Sequence, residues 1–533
     1  MIGVAPLQSM KYLLAGAAAA TLLFASAAQA QSRNDGPSDY LKCDGQPNNM
    51  TAGESLGRLL GAVTLLGIFA PPAEGYNPDA RLVGHDGIVA CSRLIDGIGG
   101  DAESNPQRRV PLIIARAIHN IEAADYTAAL ADVTKAREEA VAAGLAGNPF
   151  YERTTGRGVA MIEAHARLRL GEIEEARRVA LTGVGDQRHS LFGLFGYDSF
   201  DEFSQTRSAD EDIYYVSFSR LMPVVTYLRA ARLEETGDFT TAALLREDMI
   251  GLLDVLTAKA GPQDRSSSGY ASAALAQGLA GNWERSNYLA EEARTNMETR
   301  VREGNPENNA SVAVEILDLQ TIVRAHAEGR IGEARRLFSG RSAWPGVSFG
   351  ALVETTRRLR EGASEEELIG PLAMTPDALW TRRREAELAG MIEKDKDNNT
   401  LWRHLRAAPP ASGYRAISRE VWRIDRSRLL DAPNLDGWSS IRMPYQGGVL
   451  AGLDGMVLHA ALQARHQGKQ GFVLVTAPSN PASAMIRFGA PGDRGISEGR
   501  FIDAAAAIAE LEPLIPSPEA IRAQEQAERR RRR

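Results

Sequence analysis

The side chains of this chain that could do chemistry are few and scattered. Eight histidines occur in 533 residues, and none belongs to an H-E-x-x-H pair that would hold zinc. There is no G-x-x-x-x-G-K-[ST] loop to cradle a phosphate. His119, His165 and His326 fall inside Ala- and Leu-rich helical stretches, where an imidazole packs and bonds locally. His85 stands beside Asp86 in a glycine-flanked turn, but no nucleophile accompanies them. Ser479 and Ser483 sit among prolines in a loop. Gly489 to Gly495 forms another loop, whose backbone N–H groups could meet an anion. These residues assign no catalytic group, no metal ligand and no cofactor. A hydrolase with its site near the C-terminus stays open, because the members of a catalytic triad can lie far apart in sequence.

The two cysteines, Cys43 and Cys91, point to a different chemistry. Residues 10–30 have the grammar of an export signal: Lys11, an apolar run from Tyr12 to Phe24, then Ala28-Gln29-Ala30 as a small-residue cleavage site. Export leads to an oxidising compartment, where a lone cysteine pair is expected to form a disulfide. Removal of Lys11 with the signal takes the net charge from −7 to −8. That acidity disfavours nucleic acid as a partner. Between the cysteines, Leu59 to Ala70 is a run of twelve apolar or small residues. It is too short to span a bilayer and is expected as a buried helix. Ile88 to Leu94 is helical in pattern.

The elements that must position any site are announced by a repeat between Pro111 and Phe338. Helical segments rich in Ala and Leu end in the turns Ala124-Asp125-Tyr126, Gly171-Glu172-Ile173, Gly237-Asp238-Phe239, Gly281-Asn282-Trp283 and Gly329-Arg330-Ile331. Each turn is followed by a small residue that opens a second helix: Ala129, Ala176, Ala242, Ser286 and Ala334. The spacings between turns are 47, 66, 44 and 48 residues. A two-helix unit cannot bury its apolar stripe alone, so such units stack on their neighbours.

This pattern resembles the tetratricopeptide repeat family. The family's small residues, twelve before and seven after the alanine that opens the second helix, find counterparts in Ala117, Ala164, Ala230 and Ala274, and in Ala136, Gly183 and Ala293. Ile322, Met249 and Arg341 depart from it, and the period exceeds the family's length of about 34 residues. The resemblance implies an α-solenoid that binds proteins or peptides.

The long second interval carries an insertion, and from Phe192 to Phe218 there are eight aromatic residues in 27, against 6% in the whole chain. Insertions in repeat arrays often project from the binding face. On that basis Phe195, Tyr197, Phe200 and Tyr214 are candidate partner-binding residues. The alternative is that these rings cap the core of a longer helix pair. The interspersed acids lack the spacing of a calcium loop.

After Phe338 helical patterns return at Leu352–Arg360 and Pro376–Ile392. Glu393 to Asn399 has no apolar residue and has the composition of a linker or an exposed helix end. Ala416 to Asp425 alternates like a half-buried strand, and Trp438 to Tyr445 does so more weakly. Val449 to His466 is patterned as a helix, Phe472–Val475 and Ala484–Phe488 as strands, and Phe501–Leu511 as a closing helix. The stretch Leu458 to Val475 also resembles, over some eighteen residues, the helix-then-strand core of small bacterial envelope domains.

The expected organisation is mainly α: a signal peptide over 1–30, a disulfide-containing region over 31–110 and a TPR-like array over 111–340. A helical extension and linker follow over 341–400, then a small α+β domain over 401–518 that folds independently, and a basic tail over 519–533. The five arginines of that tail could touch anionic lipid or remain a solvated, disordered end. The functional expectation is an exported, non-catalytic scaffold of the periplasm, in contact with a protein or peptide partner and in reach of the outer membrane. An envelope hydrolase is the alternative.

Overall fold

The computed structural model describes residues 37–47, 76–98, 100, 102–190, 194, 200–257, 266–395, 400–405, 411–424, 430–431, 437–442, 449–477 and 480–531. The export signal and the Leu59–Ala70 run lie outside them. The described chain is mainly helical, with a small antiparallel sheet near the C-terminus.

Two short helices, α1 (Asp39–Asp44) and α2 (His85–Asp96), precede the repeats. They are joined by a Cys43–Cys91 disulfide in which both residues are fully buried. Each of the five turns then separates a helix pair. The pairs are α3 (Pro106–Glu122) with α4 (Tyr126–Ala142), and α5 (Arg157–Arg169) with α6 (Ile173–Ala180). After the insertion and α7 (Ala209–Leu221) come α8 (Thr226–Glu235) and α9 (Phe239–Thr257). The last pairs are α10 (Ser267–Leu279) with α11 (Trp283–Arg302), and α12 (Ala310–Ala327) with α13 (Ile331–Ser339). Consecutive helices pack on one another along this series, save across the insertion, where α6 meets the short turn Phe200–Phe203.

The small residues do the work their spacing implies. Ala129, Ala176, Ala242, Ser286 and Ala334 are buried, as are Ala117, Ala164, Ala230 and Ala274. A methyl group or less at these points lets two helices approach closely. Four turns begin with a glycine at φ 80–85°, but the first begins with Ala124 at φ 60°, the one non-glycine residue with positive φ among the described residues.

The chain then returns through α14 (Phe349–Arg360) and α15 (Pro376–Asp395). It enters α16 (Ala411–Val421), where a strand was expected. Tyr414, Ile417, Ser418 and Val421 are buried, at helical intervals of three, one and three. Ile417 and Val421 are four apart, a step common to both periodicities; Tyr414, three before Ile417, belongs only to the helical one.

The sheet comprises β1 (Leu430–Asp431), β2 (Ser439–Arg442), β3 (Gly471–Ala477), β4 (Asn480–Gly489) and β5 (Ile502–Asp503). Its order is β1-β2-β4-β3-β5, with every neighbouring pair antiparallel. Helix α17 (Val449–His466) precedes the β3–β4 hairpin, and α18 (Ala504–Leu511) follows β5.

Phe472 and Leu474 face the core formed with α17 and α18, whereas Val473 and Val475 pack with Trp438, Phe501 and Met249 of α9. Successive strand residues point to opposite faces, and here both faces are covered. Tyr414, Val457, Phe472 and Ile508 share one buried cluster with Met161, Leu168, Phe200 and Tyr214 of the helical part. Burial therefore runs without a break from the sheet unit into the helical part. The composition shift near Lys394–Pro410 marks a change of element, and burial continues across it.

The tail forms α19 (Pro518–Arg531), a helix with no buried residue, in place of the disordered end considered above. No helix among the described residues is long and apolar enough to cross a membrane.

Candidate functional site

The aromatic insertion was the foremost candidate, and the rings of it that are described, Phe200, Phe203, Tyr214, Tyr215 and Phe218, are buried. Phe195 and Tyr197 lie outside the described residues. Phe200 is fully buried and Tyr214 is 4% exposed, so neither offers a free surface to a partner. Phe200 meets the His165 ring edge-on at 5.1 Å, and the Tyr214 hydroxyl donates to the Leu194 carbonyl at 3.3 Å. Phe200, Phe203, Tyr214, Tyr215 and Phe218 share a buried cluster with Leu168 and Ala176 of the second repeat.

Its acids are held by arginines from the neighbouring repeats. Glu211, with no exposed side-chain surface, lies between Arg177 of α6 at 2.6 Å and Arg232 of α8 at 2.5 Å. Arg232 also donates to the carbonyls of Ser204 and Thr206, and Tyr215 donates to Asp201. Burial raises the Glu211 pKa, and the Arg232 contact opposes that rise. The sequence signal for this network was arginine within the buried stripes of α6 and α8, where a charge is tolerated only when paired.

A second polar cluster joins the insertion to the sheet unit. Asp454 of α17 is fully buried and accepts hydrogen bonds from Ser190 Oγ and Tyr414 OH, each at 2.9 Å and each at Oδ2. Asp454 Oδ1 has no hydrogen-bond partner among the described residues. Burial pushes its pKa up to about 7 against those two hydrogen bonds, and burial likewise raises Tyr414. Nearby, His189 Nδ1 lies 2.8 Å from Glu510, which is 3.7 Å from Arg153.

These groups are the acid–base repertoire of a hydrolase, but their arrangement differs from a triad. In a triad an imidazole stands between serine and carboxylate, whereas Ser190 donates directly to Asp454 and His189 turns to Glu510. Ser190 and Asp454 are both fully buried, so a substrate has no path to them in this conformation. The cluster locks the insertion, α16 and α17 together.

The sequence histidines behave as packing residues. His119 is fully buried, with Nε2 at 2.8 Å from the Cys43 carbonyl and Nδ1 at 2.8 Å from Glu122. Glu122 also accepts from Gly84 N and Trp402 Nε1, at 2.9 Å each. Burial would raise the Glu122 pKa, but these hydrogen bonds hold it below the usual range. The disulfide region is thus tied to α3 through one imidazole. No group of three or more potential ligands among the described residues could hold a metal ion.

An open groove of about 290 Å³ lies between α11 and α12, and therefore between successive repeats. Arg294 and Glu291 from α11 face Gln320, Thr321 and Arg324 from α12, with Glu328 and Arg330 of the last turn at its end. Arg324 crosses it to Asn287 at 3.1 Å. The Arg294–Glu291 pair is loose at 3.6 Å, and both side chains are largely exposed. Exposed pairs of this kind contribute little to stability, about 0–1 kcal/mol, and leave their charges open to a ligand. Nothing in the sequence singled out these residues, because they are ordinary polar positions on helix surfaces.

No family model, no curated protein and no solved structure matches the chain.

Proposed function

We propose that this protein is an exported, non-catalytic scaffold of the periplasm whose TPR-like helical array binds a protein or peptide partner. The observation that carries this reading is the α11–α12 groove, lined by side chains from two successive repeats and furnished with exposed arginines and glutamates. In a stacked array such grooves supply an extended recognition surface. The ladder of five helix pairs with buried small residues supports a solenoid arrangement, and the disulfide fits an oxidising compartment.

The reading is tested by placing a photo-crosslinker at position 321, inside the groove, and a control at position 141 on exposed helix surface. A partner recovered from 321 and absent from 141 is the expected result, with recovery lost in Arg324→Glu at unchanged melting temperature. Equal recovery from both positions, or recovery indifferent to Arg324→Glu, would overturn it. The hydrolase alternative draws on the Asp454 cluster alone; it predicts hydrolysis of an ester or peptide substrate that Asp454→Asn abolishes.

A further inference from the structure

The residue two places before each repeat turn is Glu122, Arg169, Glu235, Leu279 and Ala327, in chain order. The returning chain meets the first four of these in reverse. Arg358 of α14 donates to the Leu279 carbonyl at 2.9 Å, and Arg383 of α15 pairs with Glu235 at 2.6 Å. Asp395, the last residue of α15, pairs with Arg169 at 2.5 Å, and Trp402 donates to Glu122 at 2.9 Å. Four equivalent positions, each at the C-terminal end of the first helix of its unit, thus form one row that a single segment reads.

The hold on α15 is shallow. Of its twenty residues only Trp380 and Asp395 are buried. Its packed face is a stripe of Trp380, Arg383, Leu388, Met391 and Asp395, and its other face is exposed. Trp380 meets Phe349 edge-on at 4.8 Å, with the Arg383 guanidinium 4.4 Å above the same Phe349 ring. Leu388 and Met391 only flank the core. Elements with few buried apolar contacts open well below the global unfolding free energy. Its charge pairs, Arg383 with Glu235 and Asp395 with Arg169, fix its register on the repeats.

We infer that this row of repeat positions is a docking strip for an arginine-bearing amphipathic helix. In this structure α15 fills the two middle positions of the row, Glu235 and Arg169, and a partner helix of the same pattern takes its place there when α15 lifts. The charge order specifies the partner: an aromatic residue, an arginine three residues on to meet Glu235, and a carboxylate twelve residues further to meet Arg169. The strip is a different surface from the α11–α12 groove, so either can fail without the other.

A fluorescein-labelled peptide of residues 376–395 tests this in trans against the full chain by anisotropy. In the wild-type chain the tethered α15 competes at high effective concentration, and binding is weak. Arg383→Glu in the chain sets a like charge against Glu235 and frees the strip, so the wild-type peptide binds roughly tenfold more tightly or better. Trp380→Ala in the chain has the same effect without altering the strip, and serves if Arg383→Glu fails to fold. Glu235→Arg reverses the preference, so that the chain selects a peptide carrying Arg383→Glu over the wild-type peptide. Equal affinity of the wild-type peptide for the wild-type, Arg383→Glu and Trp380→Ala chains would overturn the inference. So would a Glu235→Arg chain that fails to discriminate between the two peptides.

Discussion

Arg169 and Asp395 stand 226 residues apart in the chain and 2.5 Å apart in the fold, with 1% and 8% of their side-chain surfaces exposed. The pair fastens the end of α15 to the second repeat. Removing one member of a buried ion pair leaves an uncompensated charge and costs about 3–5 kcal/mol. Asp395→Ala should therefore lower the urea midpoint substantially. The double change Arg169→Met with Asp395→Leu should recover much of the loss, because it removes both charges. A double variant no better than the single one would show that the pair does not act as a unit.

The first repeat turn offers an inexpensive gain in stability. Ala124 holds a left-handed conformation that costs an L-residue about 1–2 kcal/mol, at a point where the later repeats place glycine. Ala124→Gly removes that strain at an entropic cost of about 0.4–1 kcal/mol. A net rise in melting temperature is expected. Gly171→Ala, the reciprocal change in the next repeat, should lower it, and thermal scans of the two variants decide the matter by the sign of each shift.

Phe200 and Tyr214 now belong to stability rather than to binding. Truncating a buried aromatic side chain costs about 3–5 kcal/mol. Phe200→Ala should melt well below the wild type, and any partner recovery should fall only in step with the folded fraction. Lost recovery with an unchanged melt would restore the contact role for this ring.

Much of the helical part was legible because its signals are local and repeated. A turn residue, an aromatic or aliphatic residue and then a small residue recur five times, and each recurrence separates two helices. Val449–His466 is a helix with the bounds its pattern gives, since Gly468 stops it. The burial of Phe200 and Tyr214 was not legible, because aromatic residues serve interfaces and cores alike; Arg177 and Arg232, which hold Glu211 from outside the segment, are remote in sequence. Asp395 was hidden in a run that reads as linker, because its partner Arg169 is remote in sequence. The α11–α12 groove left no trace at all, as a space between helices has no residue pattern of its own.

The disulfide closes a loop between residues 48 apart in sequence. Chain-entropy reasoning gives about 4 kcal/mol for a loop of that length. Reduction, or Cys43→Ser with Cys91→Ser, should lower the denaturant midpoint accordingly. His119 should feel the change, since its Nε2 is bonded to the Cys43 carbonyl. Loss of its distinct imidazole NMR signal on reduction would place the damage at the α1–α3 contact, whereas a retained signal with an unchanged midpoint would show that the bond adds nothing.

Asp454 makes the fold sensitive to pH in the direction opposite to an ordinary paired carboxylate. Its neighbours are Tyr414, Ser190 and, further off, Arg153 and Glu510; burial outweighs them and lifts its pKa from 3.8 to about 7. Below about pH 4 it is protonated both folded and unfolded, and it costs the fold nothing. As the pH rises the unfolded chain loses this proton first, so stability falls at up to about 1.4 kcal/mol per unit. The fall ends once the folded carboxyl has ionised as well, above pH 7. Glu122, held below its usual range by His119, Gly84 and Trp402, acts in the opposite sense, with stability present above its unfolded value and lost in acid. The two effects would blur in the wild type alone, so the test compares it with Asp454→Asn, which keeps an oxygen for Ser190 and Tyr414 but does not titrate. Urea unfolding from pH 5 to pH 8 should show the variant gaining on the wild type up to about pH 7, with the two curves running nearly parallel beyond it. Parallel curves across that range would mean that Asp454 is already charged in the folded protein at pH 5.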